Sequence, residues 1–214
     1  ADLQTAETLV AWPNESTITS TVERINRAFV KGFLARVCLQ ASGSALRSDG
    51  TIRVSDDAEL AKSVLYPIAL QACKDVMEQE GKYVALESSF ESIFKKICQD
   101  EIAAGGESLW EIPYANSPAP RGRQISTFGI KHNAIDQFVG KAQGGQIGPT
   151  PKLFFDYSIK DTRRDVTCIP YMWDKNPGVQ KLNDIKTWYF GKNRYEWMSR
   201  NITSDDDGIN RQYM

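Results

Sequence analysis

Apolar positions in the first half of the chain recur at helical spacing. Leu3, Ala6, Leu9 and Val10 form a short amphipathic run that stops at Pro13. Ser20-Thr-Val-Glu23 has the spacing of a capping box, so a helix is expected to start there. Val22, Ile25, Phe29, Phe33 and Val37 would share one face of it, with Leu34 and Cys38 alongside. Ala28, Gly32 and Ala35 supply small positions where a second helix can approach closely. The strongest pattern follows: Leu60/Ala61, Val64/Leu65, Ile68/Ala69, Ala72/Cys73 and Val76/Met77 recur every four residues. Pro67 lies inside it, as a kink or as the first residue of a second helix. Gly81 marks a helix end. Ser88-Ser-Phe-Glu91 opens a third helix carrying Phe90, Ile93, Phe94, Ile97 and Cys98, which ends before Gly105-Gly106.

The second half changes character. Trp110, Ile112 and Tyr114 alternate as on a strand, and Pro113 limits that strand to an edge. From Asn116 to Pro151 the chain is rich in Gly and Pro. Phe128, Ile130, Ile135, Phe138 and Val139 within that stretch predict order, with one short helix near Ala134–Gly140. Leu153, Phe155 and Tyr157 begin either a strand or a short helix. The expected fold is therefore mainly α: TPR-like helical hairpins over 1–105, then an irregular, loop-rich α+β segment over 106–214. No 34-residue period stands out, and the Ser42–Ser55 loop is longer than a true repeat uses, so the hairpins are TPR-like and not an array.

Composition narrows the chemistry. The chain has 214 residues, 41% hydrophobic and 25% charged, which fits a globular protein. Lys and Arg number 26 against 27 Asp and Glu, a balance without the basic footprint of a nucleic-acid or anionic-membrane binder. The single His, His132, removes Ser-His-Asp and multi-His designs and reads as a loop or surface residue. Four Cys, none in a CxxC pair, read as small buried hydrophobes, with one disulfide left open in an oxidising compartment. Neither metal nor cofactor is expected. Asp205-Asp-Asp-Gly208 reads as a turn, since an EF-hand loop would need a Glu beyond Met214.

The aromatic residues point toward binding. The chain holds five Trp, eight Tyr and nine Phe, and ten of these lie between Leu153 and Trp197. They stand among Asp, Asn, Lys and Arg. Flat apolar plates beside polar donors suit sugars, whose C–H faces stack while their hydroxyls take hydrogen bonds. Tyr171, Trp173, Trp188, Tyr189 and Trp197 are the candidate platforms, and Arg163 and Asn193 the candidate polar contacts. The plain alternative is that an irregular segment uses large rings as its core. Asp161-Thr-Arg163 reads as a scaffold turn tied by a charge-assisted hydrogen bond.

The order of these features resembles the SusD/RagB family of outer-membrane nutrient-binding lipoproteins. "ADLQTAETL" is followed by "VERINRAFVKGFLARVCLQ", in which Arg24, Ala28, Leu34, Ala35, Arg36 and Leu39 fall as in the family. "YPIALQACKDVM" runs into "GKYVAL", and "FESIFK" leads to "GESLWEIPY". "PTPKLFFDYSIKDTRRD" matches the Pro-Thr start and Asp-x-Arg signature, and "SDDDGINRQYM" stands where an Arg-Tyr-Ala-Asp helix approaches. That helix, the lipidated Cys and the first helices are not in this sequence, so the resemblance implies an internal fragment of a longer member, cut before the carboxy-terminal helices. It further implies a non-catalytic protein on the outer face of a Gram-negative outer membrane. There it would capture glycan for a TonB-dependent transporter, held by a lipid anchor this chain lacks. Capture of peptides by a related binder and a carboxylate-pair glycosidase are the alternatives.

Overall fold

The structure is a computed structural model that describes residues 1–113, 127–133, 138, 144–174 and 179–199, with the backbone of 211–213. The chain divides into two compact units, one of residues 1–86 and 103–110, the other of residues 87–102 and 111–214.

In the first unit, helices α1 (Asp2–Leu9), α2 (Arg27–Ala41) and α3 (Lys62–Met77) pack together. Leu34, Ala35 and Cys38 of α2 meet Ala69 and Ala72 of α3, with Leu3, Leu65 and Ile68 around them. Alanines at the crossing let the two backbones approach, as the small positions along α2 suggested. Other parts of the expected pattern shift. α2 begins at Arg27, not near Ser20, because the Asn26 side chain accepts the Phe29 N–H at 3.0 Å and caps the helix there. The capping box lies earlier, at Ser16 and Thr19, around a single 3₁₀ turn. Val37 is exposed, Phe29 and Phe33 are half-buried, and the buried face is Ala28, Val30, Leu34, Ala35 and Cys38.

Pro67 lies inside a continuous α3. Cys73 is exposed, contrary to its expected burial; Ala69 and Ala72 take the inward positions instead. All four Cys are free. The long loop between α2 and α3 holds a small hairpin, β1 (Ala45–Leu46) against β2 (Ile52–Arg53), with Gly50 at φ +80° in its turn. Residues 103–110 are pinned back by two Asn side chains. Asn14 Nδ2 donates to the Ala104 carbonyl at 2.7 Å, and Asn26 Nδ2 to the Leu109 carbonyl at 2.8 Å.

In the second unit, α4 (Phe90–Cys98) starts at Ser89, whose hydroxyl accepts the Ser92 N–H in a reciprocal capping box, one residue later than expected. β3 (Glu111–Pro113) pairs antiparallel with β8 (Arg211–Tyr213). Glu111 of β3 is buried, with Ile112 half-buried beside it; Tyr114 lies outside the described residues, as do most of 134–140 and Asp205–Gly208. Helix α5 (Pro151–Asp156) starts on Pro151, whose fixed φ and missing N–H suit a first turn. Helix α6 (Arg163–Thr167) leads into β4 (Cys168–Ile169), which pairs with β7 (Tyr189–Phe190). β5 (Tyr171–Trp173) pairs with β6 (Gln180–Leu182) on one side. On its other side, Trp173 donates to the Lys131 carbonyl at 2.8 Å and accepts from the Asn133 N–H at 3.1 Å. His132 is thereby held inside the unit and is fully buried, where the sequence suggested a surface residue.

Among the described residues no helix is long and apolar enough to cross a membrane, and no group of three or more His, Cys, Asp or Glu could hold a metal ion.

Candidate functional site

The aromatic residues of the second unit fall into two populations. The first is interior. Trp173, 7% exposed, and Tyr189, 5% exposed, pack with Ile130 and Ile169. The His132 ring lies 6.2 Å from Trp173 at 21° and 5.2 Å from Tyr195 at 87°. Glu196 ties this core together, accepting from Trp173 Nε1 at 3.3 Å and from the Tyr171 hydroxyl at 3.4 Å. Burial, with the Glu196 charge behind it, pushes the Tyr171 phenol up to about 12, so it stays a donor at any ordinary pH. Asn193 is also buried. Three candidate contacts, Trp173, Tyr189 and Asn193, thus face the interior in this packing, which is the role the plain alternative gave them. Tyr171 is half-buried beside them.

Trp197 occupies a middle position. It is half-buried, with the Arg194 guanidinium carbon 4.1 Å from its ring centroid and the Lys95 ammonium 5.6 Å away. Arg194 is fixed in turn through Nε to the Gly191 carbonyl at 2.6 Å. Cations on the ring take up stacking area that a sugar would need.

The second population is at the surface. Trp188 is half-buried and rests against Phe154 of α5, centroids 4.7 Å apart and tilted 35°. Phe155, 66% exposed, meets the Trp188 edge at 6.5 Å and 74°. Trp188 Nε1 donates to the Ile185 carbonyl at 3.0 Å, which fixes the indole by its own turn. The backbone contact underneath needs a glycine, since a Cβ on Gly148 would sit 1.8 Å from the Trp188 carbonyl oxygen. The Arg164 guanidinium carbon lies 4.6 Å from the Phe154 ring centroid. Arg163 is exposed beside it and bidentate to Asp161, Nε to Oδ1 at 2.8 Å and Nη2 to Oδ2 at 2.6 Å. That pair ties the turn as the sequence suggested, and it holds the Asp161 carboxyl down at about 2.

Of the seven candidate residues, the structure sets Trp188 on an aromatic surface with Phe154 and Phe155, and leaves Arg163 exposed, next in the chain to the Arg164 that lies on Phe154. The two Phe were absent from the candidate contacts. A signal was available: in a one-and-a-half-turn helix begun by a proline, adjacent residues point about 100° apart, so two neighbouring Phe are not buried equally.

No family model matches the chain, and no curated protein does. Two solved structures share its fold. A SusD homologue from Bacteroides thetaiotaomicron VPI-5482 aligns over 100% of this chain and 42% of its own, at TM-score 0.69 and 15% identity. A SusD superfamily protein from Bacteroides fragilis NCTC 9343 aligns over 99% of this chain and 42% of its own, at TM-score 0.58 and 14% identity. The chain spans less than half the length of either. This chain thus shares its fold with the aligned parts of these two structures.

Proposed function

We propose that this chain is part of a non-catalytic, cell-surface nutrient-binding protein that captures glycans for uptake. The observation that carries this reading is the Trp188–Phe155 surface, joined through Phe154 to the Arg164 guanidinium. It offers two rings at different angles, one of them largely exposed, with the Arg164 guanidinium on the adjoining Phe154 ring. The SusD-like fold supports the same reading. In it the helical part, 1–105, serves as the holder and 106–214 carries the ligand, with Trp188 as principal platform and Arg163 as polar contact. Trp173, Tyr189 and Asn193 act behind the surface. The protein would work at the outer membrane, lipid-anchored through a segment outside this chain, delivering ligand to a TonB-dependent transporter.

The nearby carboxylates support capture over hydrolysis. Asp156, Asp161 and Asp165 are paired with Lys152, Arg163 and Arg164 respectively. A glycosidase needs one carboxyl raised to act as an acid, and Asp161 is pushed the other way. Titration of the protein with oligosaccharides tests the proposal. Capture gives a tryptophan emission shift without new reducing ends, and the shift disappears in Trp188→Ala. New reducing ends, or a shift that survives Trp188→Ala, would refute it.

A further inference from the structure

The first unit holds a polar cleft of about 380 Å³ that the aromatic surface does not account for, lined by Glu7, Trp12, Arg27, Lys31, Asp75 and Glu78, with Thr8 and Gln79 at its margin. That volume lies within the range ligand clefts occupy. Its charges are unevenly satisfied. Lys31, 12% exposed, pairs with both Glu7 and Asp75 at 2.7 Å. Among the described residues Arg27 has no ion-pair partner. Its Nε donates to the Val10 carbonyl at 2.8 Å, and its guanidinium carbon lies 5.6 Å from the Trp12 centroid. Trp12 is itself stacked on Tyr83 at 5.8 Å and 2°. The guanidinium is thus fixed at one nitrogen and one face, while both terminal amino groups lack a partner among the described residues. A planar fork held open in this way matches a carboxylate bidentately.

The other side of the cleft asks for donors. Among the described residues Glu7 Oε1 and the Glu78 carboxylate accept no side-chain hydrogen bond; Lys31 engages Glu7 only at Oε2. With Lys31 counted against Glu7 and Asp75, the lining carries one more negative than positive charge. A bare anion gains at Arg27 and loses at Glu78. A neutral polyol gains only at the carboxylates. A molecule with a carboxylate and several hydroxyls satisfies both sides.

We propose that this cleft binds an acidic sugar of the uronate class, its carboxylate on the Arg27 terminal amino groups and its hydroxyls donating to Glu7 and Glu78. The site is separate from the Trp188 surface, and its test separates the two. The chain is titrated calorimetrically with galacturonate, galactose, acetate and glycine, as wild type, Arg27→Gln, Arg27→Lys and Trp188→Ala, with folding followed by circular dichroism. Galacturonate is expected to bind at least ten-fold more tightly than the other three. Arg27→Gln should lose at least ten-fold with an unchanged melting transition, Arg27→Lys should fall between it and wild type, and Trp188→Ala should leave this affinity unchanged. The inference is overturned if galacturonate does not bind, if acetate, galactose or glycine equals it, if Trp188→Ala abolishes it, or if Arg27→Gln has no effect. If Arg27→Gln does not fold, Arg27→Lys decides: wild-type affinity without the fork overturns the inference, and weakened binding supports it.

Discussion

Replacing Gly148 by Ala should disturb the Trp188 surface without touching a side chain of it. The added Cβ would lie 1.8 Å from the Trp188 carbonyl oxygen and 2.8 Å from its carbonyl carbon, where ordinary contact begins near 3.4 Å. One backbone must therefore yield by about 1.6 Å, far more than side-chain rearrangement absorbs. The Trp188 side is the stiffer, since Tyr189 is buried and paired through β7 to Ile169 of β4. The segment at 147–150 gives way instead, and it leads directly into Pro151 and α5. Phe154 and Phe155 should then move off the indole. Overpacking of this kind costs about 1–3 kcal/mol, and the lost ring pair about 0.5–1.5 kcal/mol of that. Urea unfolding with and without the substitution reads the first quantity, and the oligosaccharide titration reads the consequence for binding. Ile147→Ala, at a half-exposed neighbour, is the control and should stay within about 0.5 kcal/mol. A Gly148→Ala protein as stable as wild type, with unaltered tryptophan emission, would show that the close approach under Trp188 does not hold the surface.

Asn26→Ala should cost about 2–4 kcal/mol by denaturation, because it removes the α2 cap and also leaves the Leu109 carbonyl without its donor; Asn26→Ser should recover the cap share only. Trp188→Ala should weaken oligosaccharide binding at least ten-fold, about 1.4 kcal/mol, with the melting transition shifted by no more than a few degrees. Asp161 should remain ionised at pH 3, as carboxyl chemical shifts would report. Its folded value is lowered, so its stabilising contribution is complete above about 3.9, the ordinary Asp value, and is lost as pH falls through about 2. Lys31→Met should destabilise the first unit by about 1–3 kcal/mol, less than a fully buried pair because both carboxylates keep some solvent. Burial alone would lower the Lys31 pKa, but its hydrogen bonds to Asp75 and Glu7 outweigh this and raise it. Its contribution is therefore whole below about 10.4, the ordinary Lys value, and fades as pH rises past the raised value.

Helix content was legible because it rests on local pattern: α3 and α4 lie where four-residue spacing put them. Helix starts were less so. Ser20 and Asn26 are both competent caps, and tertiary contacts distinguish them: the Asn26 side chain donates to the Leu109 carbonyl, while the Ser20 carbonyl accepts the Ala104 N–H in a bridge. The buried face of α2 was legible in part: Leu34, Cys38 and the small Ala28 and Ala35 are buried, while Phe29, Phe33 and Val37, expected on the inner face for their size, are half-buried or exposed because the crossing with α3 favours alanine. The aromatic segment was recognisable as a cluster, but its division into core and surface was not. Trp173 and Trp188 look alike in sequence; one lies on a strand flanked on both sides, the other at the end of a turn. The unpaired Arg27 left no sequence signal, because its isolation depends on Lys31 engaging the carboxylates opposite.

The placement of Cys73 has a practical consequence. Cys38, Cys98 and Cys168 are sealed from solvent, and burial further discourages thiolate formation at Cys38 and Cys168. A maleimide dye added to the native protein will therefore attach at a single, known address on α3. The molecule comes with its own handle for tethering or for distance measurement, and unfolding can be timed by the moment the other three sulfurs begin to react.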